Sequence, residues 1–228
     1  CLSSNKESKR YLNFLGAKNI KLIGNLKYSQ LEKERIYLHK DIKEFIQKKK
    51  VLCISSTHDT EEFFFGLVHQ ELKKKYKNFL TIVIPRHIER FKKIRESLEN
   101  LGLTTHVDVP KSKIKKNTDI YLVNSYGKTK SFYNHCKNVF LGGSLINHGG
   151  QNPLEASRFG CNILHGPNVS NFSEIYKFLK KNKISSEVKN QRQVIDKIDK
   201  FFKKKTNSNF IKRKLNLIGQ KILNKTYK

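Results

Sequence analysis

The chain has 228 residues, 37% of them hydrophobic, and a formal net charge of +28. This length is enough for one or two domains with a substantial core, and no stretch approaches the ~20 apolar residues of a membrane span. No signal peptide is visible either. A surface this basic attracts phosphates, nucleic acid or an anionic membrane face. Lysine, asparagine and isoleucine are abundant together, however, as expected of an AT-rich coding sequence, so the charge alone does not choose among these partners.

The cysteine and methionine content indicates the redox compartment of the protein and whether the sequence is a fragment. The four cysteines form no CxxC pair, and Cys53 and Cys161 lie within apolar runs. We therefore predict small core residues in a reducing compartment. The chain starts at Cys1 and contains no methionine, so we expect a fragment or a processed product.

Short apolar runs alternate with amphipathic segments along the whole chain. The predicted helices are 6–15, 31–49, one ending near 76, 87–101, 128–136, 153–159, 173–181, 188–204 and 209–225. The predicted strands are 19–23, 51–55, 79–84, 105–109, 120–123, 139–141 and 162–164. Strands alternating with helices predict an α/β fold, a Rossmann-like parallel sheet flanked by helices.

Polar clusters follow five of the predicted strands. Because ligands of parallel sheets bind at the carboxyl ends of the strands, these clusters predict one cleft along that edge. The clusters are Ser55–His58, Pro85–His87, Asn124–Gly127, Gly142–Ser144 and His165–Pro167.

The segment 140–155 contains the most informative pattern. A strand ends in Gly142-Gly143, a second pair follows at Gly149-Gly150, and Asn152-Pro-Leu-Glu155 is a helix start signal. A glycine-rich turn before a helix N-terminus predicts an anion site, with Gly143 and Ser144 as lower-ranked contacts. The simpler alternative is that Glu155 only caps its helix and the glycine pairs are plain turns.

Two further strand ends carry candidate ligand contacts. Arg86 follows a strand directly, where a guanidinium can grip a phosphate in two places. Its alternative is a surface ion pair with Glu89. Thr57 and His58 can hydrogen-bond a phosphate or sugar, whereas Asp59 or Thr60 is expected to cap the next helix, with the following glutamates at its positive end.

No metal or cofactor site is predicted. The eight histidines show no HxxxH spacing or Cys/His grouping, and no Asp-x-Asp motif is present to hold a divalent ion against a diphosphate. If the protein is a transferase, cationic side chains and helix dipoles must stabilise the leaving phosphate without a metal.

These motifs together resemble 3-deoxy-D-manno-octulosonic acid (Kdo) transferases of Gram-negative bacteria. The resemblance covers about residues 1–175 and rests on the order of its motifs. They are Gly24-Asn-Leu-Lys27, Ser56-Thr-His58 with Glu61-Glu62, Pro85-Arg-His-Ile-Glu-Arg-Phe91, the segment 140–155, Gly166-Pro167 and Asn171-Phe172.

The resemblance implies the C-terminal domain of a two-domain GT-B glycosyltransferase, inverting and metal-independent. Such an enzyme transfers Kdo from CMP-Kdo to the lipid A precursor in lipopolysaccharide biosynthesis, at the cytoplasmic face of the inner membrane. The expected partners are CMP-Kdo, the lipid A precursor and the anionic membrane surface, without specific nucleic acid.

The resemblance also implies nucleotide-binding residues. The family's Pro-Arg pair corresponds to Pro85 and Arg86. Its D-T-x-G-E-L loop corresponds to the segment that contains Tyr126, Gly127 and Lys128, and its N-P-L-E turn to Asn152, Pro153, Leu154 and Glu155.

The sequence departs from the family pattern at two positions of one loop and lacks the family's base. Asn124 and Lys128 replace the Asp and Glu of D-T-x-G-E-L, so contacts through that Glu carboxylate would be lost. The family's general base is a glutamate of the N-terminal acceptor domain, so no residue here is assigned a catalytic role. We expect the fragment alone to be inactive.

We expect residues 1–27 to be the end of the truncated acceptor domain, 28–208 the donor nucleotide domain and 209–228 a lysine-rich helix. Two alternatives remain open. One is a UDP-sugar transferase or epimerase on the same fold. The other is a basic polyanion-binding or membrane-surface module, whose binding would depend steeply on salt.

Overall fold

A computed structural model describes residues 1–29, 37–109, 112–203 and 208–227. The chain divides into two compact units, one of residues 1–35 and 209–228 and one of residues 36–208. Within the described ranges, no helix is both long enough and apolar enough to cross a bilayer.

The smaller unit begins with a short βαβ motif. Strand β1 (Leu2–Ser3) pairs in parallel with β2 (Lys21–Leu22), and helix α1 (Lys6–Phe14) connects them. Asn5 caps α1, since its side chain accepts a hydrogen bond from the Ser8 amide at 2.6 Å. A 3₁₀ turn at Leu26–Ser29 follows. The long C-terminal helix α9 (Ser208–Thr226) contributes most of its residues to the same unit.

The larger unit is built on a sheet of seven parallel strands in the order β5-β6-β4-β3-β7-β8-β9. The strands are β3 (Lys50–Thr57), β4 (Phe79–Pro85), β5 (Thr105–Val107), β6 (Ile120–Leu122), β7 (Asn138–Leu141), β8 (Asn162–His165) and β9 (Ser185–Glu187). The Rossmann-like α/β fold predicted from the alternating pattern is confirmed.

Helices lie between most of the successive strands. They are α2 (Lys40–Gln47), α3 (Glu61–Lys75), α4 (Phe91–Glu99), α5 (Thr129–His135), α6 (Leu154–Arg158), α7 (Ser173–Lys181), α8 (Gln191–Lys203) and α9 (Ser208–Thr226), with 3₁₀ turns at Ile88–Arg90 and Ser170–Phe172. Helices α8 and α9 follow the last strand. Phe65, Leu72 and Ile198 of α3 and α8 pack with Leu52 and Ile54 of β3, all of them 1% exposed or less. Burial of these side chains fixes the position of β3 at the centre of the sheet.

Cys53 and Cys161 are fully buried free thiols, as predicted, and Cys136 is buried beside them. Cys161 Sγ donates to the carbonyl of Cys136 at 3.1 Å.

Several predicted boundaries were wrong. Of the helix predicted at 31–49, only Lys40–Gln47 is helical, residues 31–36 lie outside the described ranges, and Leu38 is buried in extended chain before the helix. The helix predicted from 87 starts with a 3₁₀ turn and becomes α-helical at Phe91. Strand β9 was missed because its sequence, Ser-Ser-Glu, shows no apolar run, and an edge strand needs none.

Asp119, at the amino end of β6, links helix α3 to the residues that precede β5. Its side chain, 5% exposed, contacts Lys73 and lies 3.5 Å from His69 Nε2, and it accepts the Thr104 amide at 3.0 Å. Burial opposes its charge, yet the nearby His69 imidazole and the hydrogen bonds from Lys73 and the Thr104 amide prevail, so the pKa of Asp119 is lowered.

We expect Asp119→Asn to lower the free energy of unfolding by about 2 kcal/mol at neutral pH. A carboxyl whose folded pKa is lowered stabilises the fold above its unfolded pKa of about 4, and this contribution is lost as the pH falls further. Urea titrations across pH should therefore show the two proteins converging in acid. An unchanged difference down to the lowest accessible pH would contradict this role.

Candidate functional site

The site lies where the strand order of the large sheet reverses. From β3 the chain passes to β4 on one side and later returns to β7 on the other. Because all seven strands are parallel, the loops after β3, β4 and β7 meet at one edge, as predicted. In such sheets this crevice is where ligands bind.

Glu61, at the start of α3, holds the glycine turn after β7. One carboxylate oxygen accepts the amides of His58 at 3.0 Å and Gly143 at 2.8 Å. The other accepts those of Ser144 at 3.2 Å and Leu145 at 3.1 Å. Burial raises the pKa of Glu61 and these four donors partly offset the rise. The backbone amides of Gly143 and Ser144, the lower-ranked predicted contacts, are therefore already occupied by an internal carboxylate.

The capping prediction for α3 was also wrong. Thr60 is the N-cap residue, but its side chain makes no capping bond, and its φ is +74°. A threonine is strained in this left-handed region. Glu61 instead bonds back to the His58 amide, so the helix start and the glycine turn share one acceptor.

Two arginines after β4 have different surroundings. Arg90 bonds to Glu62 at 3.1 and 3.2 Å and to Asp59 at 2.8 Å, with 20% of its side chain exposed. Arg86 is exposed, and its backbone amide is fixed by the Thr57 carbonyl at 2.9 Å. Among the described residues no carboxylate pairs with its guanidinium. Glu89, the alternative partner, lies 3.5 Å from His87. Arg86 is therefore the cation available to a ligand.

Three histidines meet beside Arg86. The centroid of the His58 ring lies 4.1 Å from that of His148 and 5.7 Å from that of His87. In the sequence, His148 lies between the two glycine pairs. Burial, followed by the charges of His148, His87, Arg90 and Arg86, lowers the pKa of His58 to about 4. His58 was a candidate contact from the sequence, and His87 belonged to a predicted polar cluster without being assigned a contact, whereas His148 was missed. The location of His148 between two glycine pairs was the signal that could have identified it.

The Asn152–Glu155 turn is joined to this site through the glycine loop. The Gly150 amide donates to the Gly143 carbonyl at 2.8 Å. Helix α6 begins at Leu154, one residue later than predicted, and the Asn152 side chain accepts the Leu154 amide at 3.1 Å. Leu154 itself is 1% exposed, so a ligand would meet its backbone. Glu155 contributes, after burial and the nearby thiols, to raising the pKa of Tyr133 beneath β3.

The remaining predicted contact residues differ in their exposure and in their internal hydrogen bonds. Tyr126 is 65% exposed in the turn after β6, next to Gly127. Lys128 donates to Asp108 at 2.7 Å, which also accepts from Tyr121 at 2.9 Å. The hydroxyl of Thr57 donates to Glu62 at 2.8 Å, and that of Ser144 accepts the Gly166 amide at 2.8 Å. The side chains of Lys128, Thr57 and Ser144 are thus engaged in internal hydrogen bonds. Pro85 is buried at the end of β4.

A cavity of about 350 Å³ adjoins Lys128 and Asp108 and is lined also by Tyr37, His106 and Tyr121. Within the part of the chain that the structure describes, no three His, Cys, Asp or Glu side chains are arranged to hold a metal ion.

Comparison with known proteins places this geometry in context. No protein-family model matches the chain. It is 30% identical over 183 residues to 3-deoxy-D-manno-octulosonic acid transferase of Haemophilus influenzae, covering 77% of this chain and 42% of the relative. It is 28% identical over 183 residues to the Aquifex aeolicus protein of the same name, covering 80% and 48%. The chain thus spans less than half the length of these two relatives.

Two solved structures are also similar to this chain. The C-terminal CMP-Kdo binding domain of WaaA from Acinetobacter baumannii superposes with a TM-score of 0.68 at 27% identity, covering 78% of this chain and 91% of that one. A UDP-GlcNAc 2-epimerase from Neisseria meningitidis, 17% identical with a TM-score of 0.59 over 99% of this chain and 59% of its own, shares the fold.

The large unit is therefore a Rossmann-like domain of the GT-B type, with its polar loops at the strand-order reversal. The chain corresponds to the C-terminal half of the 3-deoxy-D-manno-octulosonic acid transferases that it matches.

Proposed function

We propose that this chain is the donor-nucleotide domain of a Kdo transferase, in which Arg86 binds the phosphate of CMP-Kdo. The observation that carries this proposal is an exposed guanidinium, without a carboxylate partner among the described residues, at the strand-order reversal. His58 lies next to it, and the glycine turn held by Glu61 fixes the facing wall. A guanidinium in such a position binds a phosphate with charge-assisted hydrogen bonds.

The other nucleotide contacts proposed are those implied by the family. Gly127 and the Asn152–Glu155 turn offer backbone and carboxylate groups on the same edge, and Tyr126 presents an exposed ring there. Lys128 is bonded to Asp108, so we propose that its loop contributes through the backbone. Transfer would proceed without a metal, with Arg86 and neighbouring imidazoles stabilising the leaving CMP phosphate.

The whole protein would transfer Kdo, with inversion, to the lipid A precursor at the cytoplasmic face of the inner membrane. Residues 1–27 would then belong to the acceptor domain and 28–208 to the donor domain. The family's base lies outside this half, so we expect the chain alone to bind CMP without transferring Kdo.

We expect Arg86→Ala to weaken CMP binding by about 1.5–3 kcal/mol, roughly 10- to 150-fold, because one charge-assisted phosphate contact is lost. Isothermal titration measures this directly. Arg95→Ala is the matched control, since Arg95 pairs with Glu99 at 2.8 Å on the surface of α4, and its CMP affinity should be unchanged.

Two outcomes would contradict the proposal in different ways. Unchanged CMP affinity in Arg86→Ala would remove Arg86 from the site. Preference for UDP or UDP-sugars over CMP in competition would favour a different transferase or an epimerase.

A further inference from the structure

The Nε2 atom of His58 is buried and has no hydrogen-bond partner among the described residues. The residue is 9% exposed. A buried polar atom without a partner costs free energy and is uncommon in a folded protein. It indicates a group that acquires its partner when something else binds.

The surroundings of His58 indicate what that partner is. His148 lies against one side of its ring, and His87, Arg86 and Arg90 supply further positive or potentially positive charge. The nearby acids are engaged elsewhere: Glu61 with backbone amides, Glu62 and Asp59 with Arg90, and Glu89 beside His87. Among the described residues, His87 is the one of the three imidazoles within ion-pair distance of a carboxylate, that of Glu89 at 3.5 Å. The three rings together with the Arg86 guanidinium are suited to an anion of more than one negative charge.

We propose that His58, His87 and His148 form with Arg86 a phosphate site that takes up a proton when the nucleotide phosphate binds. This inference rests on the proposed function and adds a proton linkage and two residues, His87 and His148, to it. The proton comes from the solvent and is gained by an imidazole nitrogen, Nε2 of His58 being the unpartnered one. No covalent bond forms or breaks.

The physical reason is mutual repulsion. Without ligand, burial and the neighbouring cations disfavour a charge on His58, so it is neutral at physiological pH. A phosphate dianion reverses the sign of the local field, raises the pKa of the ring and lets it donate a charge-assisted hydrogen bond. Because the bound state holds an extra proton, CMP affinity must fall as the pH rises from the pKa of free His58 to the pKa of the complex, above which it levels off.

The test is isothermal titration of the full chain with CMP near neutral pH, in two buffers of different ionisation enthalpy. We expect a buffer-dependent heat that corresponds to uptake of about half a proton or more per CMP, and an affinity that falls by up to about tenfold per pH unit below the pKa of the complex and levels off above it. The double variant His58→Asn/His148→Asn should retain only the protonation of CMP itself and bind roughly tenfold more weakly.

His135→Asn is the matched control. His135 lies at the end of α5, away from the site, and its pKa is likewise lowered, by burial and by the charges of Lys43 and Lys137. If replacement of buried His58 prevents folding, exposed His148→Asn and an NMR titration of the wild-type imidazoles with and without CMP give the same information, with the pKa of His58 expected to rise on binding.

Equal proton uptake in wild type and double variant, with CMP still bound, would overturn this inference and leave the proposed function intact. Failure of the wild-type chain to bind CMP would overturn both.

Discussion

Replacing Glu61 with alanine should lower the free energy of unfolding by about 4 kcal/mol. The substitution removes the acceptor of four backbone amides, those of His58, Gly143, Ser144 and Leu145. Each buried donor left without a partner costs about 1–3 kcal/mol, and water entering the space recovers part of this. The loops after β3 and β7 would lose their common anchor, so CMP affinity should fall together with stability.

Urea denaturation measures the effect, and two variants calibrate it. Glu71→Ala, on the exposed side of the same helix with Lys74 at 2.6 Å, should change stability by no more than about 0.5 kcal/mol. Glu61→Gln should lie between wild type and alanine, because a carboxamide offers one acceptor oxygen where the carboxylate offers two. Each orphaned donor should cost about 1–3 kcal/mol. If the free energy of unfolding of Glu61→Ala lay within about 1 kcal/mol of wild type, the glycine turn would be stable without Glu61.

The second large effect concerns Arg90. Arg90→Ala leaves the Glu62 carboxylate, 3% exposed, with Thr57 as its remaining partner described here. Breaking a buried pair by removing one member is strongly destabilising, and we expect a loss of about 3 kcal/mol in chemical denaturation. Arg86→Ala, four residues earlier and exposed, should change stability by less than about 0.5 kcal/mol. Arg90 thus supports the fold, whereas Arg86 is the residue that we propose binds the ligand.

A double-mutant cycle with Glu62→Gln tests the assignment of Arg90. The coupling between Arg90 and Glu62 should exceed about 1 kcal/mol, because the two groups share two contacts at 3.1 and 3.2 Å. Additive effects of the two substitutions, or a loss of CMP affinity without loss of stability in Arg90→Ala, would assign Arg90 to the ligand instead.

The sequence was sufficient to predict the parallel sheet and the edge that carries the polar loops. Apolar runs such as 51–55 and 79–84 became β3 and β4 with small boundary shifts. The position of Arg86 at a strand end followed from the same pattern. The sequence could not predict strand order, since a run of apolar residues does not specify its neighbours. The placement of β7 beside β3 is a tertiary result.

The chemistry of the acids and histidines was harder to predict for a physical reason. Helix capping explains an acid at the start of α3 locally, so the long-range bonds of Glu61 to Gly143 and Ser144, 82 and 83 residues away, left no sequence signal. The contact of His148 with His58 likewise depends on the fold of the glycine loop. Arg86 and Arg90 look alike in sequence, and only the burial of Glu62 separates their roles.

A crystal structure of the chain with CMP tests the central claim most directly. We expect the phosphate within about 3 Å of the Arg86 guanidinium, at the carboxyl ends of β3 and β4 and beside His58. CMP bound instead in the cavity next to Lys128 and Asp108, with no contact to Arg86, would contradict it.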